Sequence, residues 1–279
     1  MAIEEIRDMN GVERRMGWVA PDANNLKMRA ARTSIQDLRV SRGLPPLIDP
    51  KDYREVDFYS GPLFGTRVIN DQRQCSGCTG WSAAQGLMRQ RIIRGMPFVK
   101  LSGAFIYAHI NGGRDQGSVI VDAMETLQEV GTCPEAEFDY PKIYTKQIPA
   151  NAVADAKKYK LVGSITIDTF AECCTALLMG MIPQFPISVG GNFERFTSNG
   201  VAGVNKSSQG NHSVHGAGLK FINGEWFIVM PNSWGMWGPF RTGICFLSRA
   251  HIDNCAHADD GYAHADASWD AAPAVGDPN

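Results

Sequence analysis

Cys78 is the residue of this 279-residue chain whose type and position best suit nucleophilic chemistry. The apolar residues that follow it recur at helical spacing, and they are Trp81, Ala84, Met88 and Ile92. This pattern predicts a helix that begins at or just after Cys78 and ends by Gly95. A cysteine in the first turn of a helix feels the positive end of the helix dipole, which favours the thiolate over the thiol. Cys78 is therefore a candidate nucleophile.

The second half of the chain supplies candidate partners for a thiolate. His212 opens the segment His-Ser-Val-His-Gly-Ala-Gly on a predicted strand, and Asn232 follows the next predicted strand in Pro-Asn-Ser-Trp-Gly-Met-Trp-Gly. A thiolate at neutral pH usually needs an imidazolium partner, and cleavage of an amide needs donors for the oxyanion that develops. Asn232 is a neutral amide that can orient a histidine ring, and Trp234 could cover that hydrogen bond from water.

Together these segments resemble the papain-like cysteine peptidases. In that family a glutamine lies six residues before the nucleophilic cysteine, as Gln72 lies before Cys78. The family's histidine begins a His-x-Val-x-x-x-Gly strand, as His212 does, and its asparagine opens an Asn-Ser-Trp-Gly motif, as Asn232 does. The separation of 134 residues between Cys78 and His212 is within the roughly 130–150 residues expected of the family. Four motifs in the right order and spacing make a chance match improbable.

Residues between these motifs resemble the bacterial branch of the family. They are Leu101-Ser102, Tyr107, the loop Asp115–Ser118, Gly131–Glu135 and Tyr140-Pro141. The resemblance covers most of residues 52–250. It implies an α+β, papain-like two-lobed fold, with a helical left lobe, an antiparallel β-barrel-like right lobe and the active-site cleft between them.

The resemblance implies a role for each matched residue. The Cys78 thiolate would attack a peptide carbonyl, and His212, oriented by Asn232, would hold the thiolate as an ion pair and then protonate the leaving amine. The side chain of Gln72 and the backbone N–H of Cys78 would bind the oxyanion. Gly117 and Ser118 would offer backbone hydrogen bonds to an extended substrate. The implied partner is a polypeptide, and neither a cofactor nor a metal is expected.

The sequence departs from the family pattern around the nucleophile. Thr79 stands where the family has a bulky aromatic residue, Ser76-Gly77 where it has Gly-Ser, and Pro231 where it has a lysine. None of these changes removes a catalytic atom, but the lining of the cleft must differ. The family's disulfide partner for Cys75 would fall near Asp115, where there is no cysteine. The disulfide is therefore expected to be absent, as a reducing compartment would allow.

The elements that must position these residues are helices in the first half of the body and strands in the second. A further helix is predicted with Ser118 as its N-cap and Gly131 as its stop. Its apolar face is Ile120, Ala123, Leu127 and Val130. After Pro149 the pattern changes to short strands, which are predicted at Ser164–Asp168, Ile187–Val189, Ser213–Leu219, Trp226–Met230 and Gly243–Leu247. This order is typical of an α+β arrangement of two layers or lobes.

Three parts of the chain are expected. Residues 1–51 are predicted to form a polar, mostly helical extension. This extension would be a short propeptide or an assembly arm, and it could also occupy the cleft as an inhibitor. The papain-like peptidase domain spans residues 52–250. Residues 251–279 are rich in Ala, Asp and His and are predicted to form a solvated tail.

Composition excludes several classes of protein. Lys and Arg total 27 against 29 Asp and Glu, a net charge of −2, which makes nucleic acid and anionic membrane poor primary partners. No stretch approaches 18 consecutive apolar residues, and the acidic N-terminus lacks the features of a signal peptide. The expected location is cytoplasmic or particle-associated. The seven cysteines are an odd number, so at least one thiol must stay free or pair between chains.

Several reactive residues have competing interpretations. His215 could replace His212 as the base, although the strand register favours His212. The pair Cys75-x-x-Cys78 also suggests a redox or zinc site, but no second cysteine pair follows at zinc-ribbon spacing. Cys173-Cys174 lies in an apolar, helix-like run and is interpreted as core.

Two further sets of polar residues could also be interpreted as metal-binding sites. His251, His257 and His264 lie near aspartates and could bind a metal, but a solvated tail is the simpler interpretation. The segment Asn111–Asp115 has the residues of a loop and lacks the ligand spacing of a calcium site.

Three functions remain open on the sequence alone. The leading one is an active endopeptidase or exopeptidase. The second is a structural or binding role in a larger assembly that holds both termini, of which a virus particle is one example, with weak or local proteolysis. It is motivated by the short N-terminal extension and the absence of an export signal. The third is amidase or acyl-transfer chemistry on the same fold.

Overall fold

The computed structural model describes residues 4–60, 70–205, 209–255 and 260–265. The helices are α1 (Ala23–Ala30), α2 (Ile35–Val40), α3 (Cys78–Ile93), α4 (Gly103–Ile110), α5 (Ile120–Glu129), α6 (Ala150–Ala156), α7 (Phe170–Leu178) and α8 (Arg249–Asp253). The strands are β1 (Glu5–Arg7), β2 (Glu13–Arg15), β3 (Val56–Asp57), β4 (Gly163–Ile167), β5 (Ile182–Ile187), β6 (His212–His215), β7 (Gly218–Ile222), β8 (Glu225–Pro231), β9 (Ile244–Leu247) and β10 (Gly261–Ala265). Short 3-10 helices occupy Pro50–Asp52 and Thr145–Gln147. None of these helices is both long and apolar enough to cross a bilayer.

The central element is α3, which lies between the two lobes. It packs against α4 and α5 on one side and against β5 and β6 on the other. All of its residues except Arg91 and Ile93 are buried, so it is enclosed on every side rather than on the single predicted face. The helix begins at Cys78 as predicted, and this start therefore lies at the boundary between the lobes.

The strands form the second lobe as two four-stranded sheets. The first sheet has the order β4-β10-β5-β6 and the second the order β3-β7-β8-β9. Every pairing in both is antiparallel, and the described strands do not close into a barrel. Their apolar side chains share one core cluster, which includes Phe185, Val214, Ile228, Met230 and Leu247. The predicted α+β fold with a helical lobe and an antiparallel lobe is confirmed.

The strand β10 corrects the prediction of a solvated tail. It pairs with β4 on one edge and with β5 on the other, and all of its residues are buried. His264 lies on this strand, His251 lies on α8 within 3.3 Å of the Gly203 carbonyl oxygen, and His257 lies outside the described residues. The sequence Gly-Tyr-Ala-His-Ala has polar neighbours, but its small side chains fit a strand enclosed by two others. For residues 261–265 the prediction of a solvated tail is wrong.

The N-terminal extension folds back onto the body. It contains the helices α1 and α2, and Ser34 caps α2, whose Ile35 and Leu38 are buried. These two helices cover only residues 23–30 and 35–40, so the prediction of a mostly helical extension is wrong. The hairpin of β1 and β2 was not predicted, because its strands are three residues long and mostly charged. This hairpin leads the chain into the groove between the lobes.

One predicted helix cap is wrong. The helix expected to start from Ser118 begins at Ile120, and Val119 stands at the N-cap position without a side-chain hydrogen bond. The backbone of Ser118 is instead engaged in a parallel bridge with Trp18. Strand-like pairing with a distant segment fixes the conformation of Ser118, and this contact is invisible to local capping rules.

A buried polar cluster joins α3 to the first sheet. Arg89 donates from Nε to His215 Nε2 at 3.0 Å and from Nη1 to the Phe58 carbonyl oxygen at 2.9 Å. Burial, with the neighbouring Arg89 charge, holds the pKa of His215 well below its usual value. Burial also lowers the pKa of His264 to about 3. Both histidines are therefore neutral in the folded chain at pH 7.

We expect the folded chain to lose stability as the pH falls below about 6.5. An unfolded histidine takes up its proton near that pH, whereas folded His264 does so only near pH 3. The unfolded chain then binds more protons across this window, so the free energy of unfolding should fall by about 1.4 kcal/mol per pH unit for each such histidine. The variant His264→Leu removes one of these titrations and should show a smaller loss between pH 7 and pH 5 in urea unfolding. An equal loss in both proteins would contradict this assignment.

Candidate active site

Cys78 lies where α3 meets the first sheet. It is the first residue of the helix, preceded by Gly77 at the N-cap position, and its side chain is fully buried. The backbone N–H of Ser213 donates to Cys78 Sγ at 3.4 Å. Because Ser213 follows His212 on β6, the strand that carries the candidate base lies directly against the thiol.

His212 is oriented by Asn232. Its Nε2 lies 2.9 Å from Asn232 Oδ1, and an amide oxygen only accepts, so Nε2 carries the proton. The other ring nitrogen, Nδ1, is buried and makes no hydrogen bond within the described part of the chain. The ring of Trp234 covers the imidazole, with 5.0 Å between centroids. This leaves Nδ1 as the basic nitrogen of the pair.

Ser233, in the loop after β8, holds Gln72 in position. Ser233 Oγ donates to Gln72 Oε1 at 2.5 Å, and the Gln72 backbone N–H donates to the Ser233 carbonyl oxygen at 2.8 Å. With its oxygen held in this way, the side chain directs Nε2 towards the carbonyl oxygens of Cys75 at 2.9 Å and Arg15 at 3.3 Å. The structure thus brings Gln72 into the same region as the thiol and the histidine.

Residues 15–19, here called the cleft segment, run across these side chains. The Arg15 carbonyl oxygen accepts from Gln72 Nε2, and the Gly17 backbone N–H lies close enough to Cys78 Sγ to oppose the rise in the pKa of the thiol. Beyond the thiol, the Gly17 carbonyl oxygen accepts from the Ser118 N–H at 2.8 Å, and the Val19 N–H donates to the Ser118 carbonyl oxygen at 3.0 Å. The chain's own backbone therefore fills the groove over the candidate nucleophile.

The two residues predicted to bind substrate backbone have different partners. Ser118 uses both its backbone N–H and its carbonyl group to pair with the cleft segment. The Gly117 N–H donates instead to the Tyr107 hydroxyl at 3.1 Å, inside the helical lobe. Ser118 is thus the residue that presents strand-like hydrogen bonds to the groove.

Glycine is required at position 17 of the cleft segment. A Cβ atom added there would lie 1.8 Å from the Ser76 carbonyl oxygen and 2.3 Å from its carbonyl carbon. Backbone atoms of the loop before the nucleophile cannot yield by such a distance. Any larger residue would lift the segment away from Cys78, so Gly17 permits the close cover of the thiol.

Burial beneath the cleft segment sets the protonation of the Cys78 and His212 pair. Desolvation raises the pKa of the Cys78 thiol, although the N–H groups of Ser213 and Gly17 oppose this rise. Desolvation also lowers the pKa of His212 to about 4, against an opposing effect of its hydrogen bond to Asn232. Both groups are therefore neutral at pH 7 in this state. The position of Cys78 at the helix start predicts a thiolate, but burial outweighs the helix dipole while the groove is filled.

Asp115 holds the loop that carries the nucleophile. Its Oδ1 accepts from the Ser76 backbone N–H at 2.8 Å and from the Tyr107 hydroxyl at 2.7 Å. Neither Cys75 nor any other of the seven cysteines forms a disulfide. A carboxylate thus connects two loops near the place where the resemblance would put a disulfide.

Replacement of Asp115 with alanine should lower kcat/KM by about 10- to 100-fold, because a displacement of about 1 Å at a nucleophile has effects of that size. The variant Asp115→Asn keeps an acceptor for the Ser76 N–H and should stay within about fivefold of wild type. The measurement is peptide hydrolysis per titrated active site, so that misfolded protein does not count. Equal losses in the two variants would show that the Ser76 contact does not position Cys78.

The other reactive residues named from the sequence lie away from this arrangement. His215 accepts from Arg89 on the far side of β6, so it does not approach the thiol as a base. Cys173 and Cys174 are buried in α7, as predicted for core residues. No group of three or more metal-binding side chains was found among the described residues.

Some residues of the site were not found from the sequence. The cleft segment has no local motif, and only Gly17 between bulky neighbours in Met-Gly-Trp carries a signal of close backbone approach. Ser233 lies inside the Asn-Ser-Trp-Gly motif, and its role in holding Gln72 could have been inferred from that position. Asp115 was noted as a loop residue near the position of the absent cysteine, and its contact with Ser76 was not predicted.

Comparisons with known proteins agree with this architecture. The family described as papain family cysteine protease matches residues 55–264, whereas a search of curated protein sequences gave no match. Xylellain, a cysteine protease from Xylella fastidiosa, superposes with a TM-score of 0.67 at 19% identity, covering 94% of this chain and 98% of its own.

Two eukaryotic structures are also similar. Bromelain from Ananas comosus, in complex with the E64 inhibitor, has a TM-score of 0.60 at 19% identity and covers 75% of this chain and 96% of its own. Digestive procathepsin L 3 from the larval midgut of Tenebrio molitor has a TM-score of 0.61 at 18% identity. This superposition covers 88% of this chain and 82% of the procathepsin chain. The family match extends over well over half of the chain. The chain therefore belongs to the papain family of cysteine proteases.

Proposed function

We propose that this protein hydrolyses peptide bonds with Cys78 as the nucleophile and His212 as the acid–base group. Asn232 orients His212, and Gln72 together with the backbone N–H of Cys78 forms the oxyanion hole. The observation that carries the proposal is the geometry of His212. Its Nε2 is bound to Asn232 Oδ1, its Nδ1 is left basic, and the next residue of its strand contacts the thiol.

The chemistry follows from these positions. His212 Nδ1 takes the Cys78 proton, and the thiolate forms a bond to the carbonyl carbon of the substrate. Gln72 Nε2 and the Cys78 N–H stabilise the oxyanion, since the first N–H of a helix has no partner within that helix. The imidazolium then protonates the leaving amine as the C–N bond breaks. Water, deprotonated by His212, cleaves the thioester and releases the carboxylate and the thiolate.

We further propose that the intact chain is a latent form and that residues 1–51 act as a short propeptide rather than as an assembly arm. Gln72 and Ser118, which would bind the substrate backbone, are occupied by the cleft segment. The superposition on a procathepsin extends over 88% of the chain, against 75% for bromelain bound to an inhibitor. A substrate can reach Cys78 only after residues 15–19 have left the groove.

Labelling with an epoxysuccinyl reagent selective for activated thiols tests this proposal. Burial raises the pKa of the other six thiols, which are Cys75, Cys133, Cys173, Cys174, Cys245 and Cys255. Under reducing conditions, mass spectrometry should therefore find the adduct on Cys78 alone. Labelling should be slow in the intact chain and fast after the N-terminal segment has been released. No adduct on Cys78 in the released protein would overturn the proposal.

A further inference from the structure

Gln184 lies in the interior of the protein, at the boundary between α3 and the first sheet. It is the polar residue of β5, whose sequence is Ile-Pro-Gln-Phe-Pro-Ile, and its side chain is fully buried. Its Nε2 donates to two acceptors, the Thr79 carbonyl oxygen at 3.1 Å and Ser213 Oγ at 3.0 Å. The two N–H donors of one amide group therefore connect the helix to the sheet.

The two acceptors belong to the immediate neighbours of the proposed catalytic pair. Thr79 follows Cys78 in the first turn of α3, and Ser213 follows His212 on β6. The Ser213 backbone N–H also donates to Cys78 Sγ at 3.4 Å. Because Gln184 bonds Thr79 and Ser213 through the same nitrogen, it fixes the start of the helix against the strand that carries the base.

Thr79 extends this connection to the wall of the groove. Its Oγ1 donates to the Ser118 carbonyl oxygen at 3.2 Å, and the residue is fully buried. The hydroxyl group that makes this bond is present because threonine stands here in place of the family's aromatic residue. Hydrogen bonds made by Gln184 and Thr79 thus join β6, β5, α3 and the loop before α5.

The amide of Gln184 brings a cost that an apolar side chain would avoid. Its Oε1 is buried and has no hydrogen-bond partner in the described part of the chain, which is unfavourable for a buried polar atom. A methionine has a similar length and no such oxygen, and cores usually tolerate apolar side chains of the right volume. What the glutamine adds over methionine is therefore the pair of hydrogen bonds to Thr79 and Ser213.

We infer that Gln184 is a positioning residue of the active site. By holding the helix start against β6, it sets the distance between Cys78 Sγ and the His212 ring. This inference rests on the proposed function, since it concerns the same pair. The hydrogen bonds of Gln184 end one residue away from each member of the pair, so it acts through their neighbours and not on the substrate.

Gln90 offers a matched control on the same helix. Its Nε2 donates to the Gly180 carbonyl oxygen, shortly before β5, at 3.1 Å. The residue is 1% exposed, and its Oε1 likewise has no partner among the described residues. Gln90 lies about 18 Å from Cys78 along the helix. Gln184→Met and Gln90→Met therefore remove comparable buried amides from one interface, the first beside the pair and the second far from it.

The test measures how fast iodoacetamide alkylates Cys78 in the full chain at pH 6 and at pH 9, with peptide mapping by mass spectrometry to count that adduct alone. An ordinary cysteine has a pKa near 8.5, so its rate should rise about 200-fold between these pH values. A thiolate paired with an imidazolium is already present at pH 6, so the wild-type rise should stay below about tenfold. Comparing the rise between variants cancels the opening of the groove, which they share.

Gln184→Met should increase this rise at least about tenfold, because a displaced ring no longer holds the thiolate at pH 6. Gln90→Met should change it less than about twofold. Under the conditions in which wild type hydrolyses a peptide, Gln184→Met should also lower kcat at least about tenfold, with KM within about twofold. Circular dichroism and urea unfolding verify that both variants are folded.

Ser213→Ala provides a second variant that does not alter Gln184. It removes one acceptor and keeps the backbone N–H that contacts the thiol, and it should increase the rise at least about threefold. If both variants act through the same hydrogen bond, the double variant should show no larger change than Gln184→Met. Changes that simply multiply would show that the two side chains act separately, and would contradict the inference.

The outcomes separate this inference from the proposed function. The same rise in wild type, Gln184→Met and Ser213→Ala would overturn the inference, even if the protein hydrolyses peptides. An increase in Gln90→Met as large as that in Gln184→Met would also overturn it, because the effect would then belong to the interface as a whole. If wild type cuts no peptide but the alkylation results hold, the positioning role stands and the proposed hydrolysis fails.

Discussion

Replacing Cys78 with alanine is expected to abolish hydrolysis of unstructured protein, with a loss of at least about 10⁴-fold in kcat, because the covalent step has no other nucleophile. The side chain is small and buried, and alanine is tolerated at the start of a helix, so the fold should persist. The measurement is casein hydrolysis after release of the N-terminal segment, with circular dichroism as the check on folding. Retained hydrolysis in this variant would exclude Cys78 as the nucleophile.

Variants of the other proposed site residues show whether the loss in Cys78→Ala reflects the proposed mechanism. His212→Ala should approach the loss of Cys78→Ala, because proton transfer and thiolate formation both depend on the ring. Asn232→Ala should lose less, since Asn232 contacts His212 and on the proposed function would act through the orientation of that ring. Gln72→Ala should lower kcat by about 10²- to 10³-fold, the usual effect of removing one oxyanion donor. His215→Gln serves as the matched control, because His215 contacts Arg89 and not the thiol.

The second large effect is expected at Arg14, which anchors the cleft segment. Its Nε lies 2.9 Å from Asp8 Oδ2, its Nη1 lies 2.8 Å from Asp71 Oδ1, and its Nη2 donates to the Trp234 carbonyl oxygen at 2.8 Å. Arg14 and Asp8 are each only 4% exposed. Removing one partner of a buried pair costs about 3–5 kcal/mol, because the remaining charge is left uncompensated. Arg14→Ala should therefore weaken docking of the segment and raise the initial activity of the intact chain by about 100-fold or more.

The neighbouring arginine provides a matched control for this prediction. Arg15 pairs with Glu5 at 3.0 Å and with Asp115 at 3.4 Å, but its side chain is 41% exposed. Exposed pairs contribute about 0–1 kcal/mol, so Arg15→Ala should raise activity less than about fivefold. Initial rates are measured on a fluorogenic peptide, with mass spectrometry to verify that the chain is still intact. Equal rates for the two variants would show that Arg14 does not hold the segment in place.

Much of the fold was predictable from local patterns and from the family motifs. The start of α3 at Cys78 followed from the spacing of apolar residues, and most predicted strands overlap strands of the structure. The motifs around Gln72, His212 and Asn232 are contiguous in sequence, and their side chains do lie together. These features depend on interactions within a few residues or on a known pattern.

The rest depends on contacts between distant parts of the chain. The cleft segment docks through backbone hydrogen bonds to Ser118, and such bonds leave no mark in residue types. Residues 261–265 looked solvated because Ala, His and Asp are common in tails, yet β4 and β5 provide the hydrogen bonds and the apolar cover that bury them.

The cover that Gly17 places over Cys78 also bears on the redox chemistry of the protein. Peroxides oxidise thiolates far faster than thiols, and the sulfinic and sulfonic products are not reduced back by ordinary thiol reductants. In the intact chain burial keeps the sulfur protonated and enclosed, so it is a poor target for such oxidants. Departure of the segment would expose the sulfur and allow the thiolate to form in one event. On the proposed function, the glycine that covers the groove would thus also keep the proposed nucleophile reduced until residues 15–19 leave.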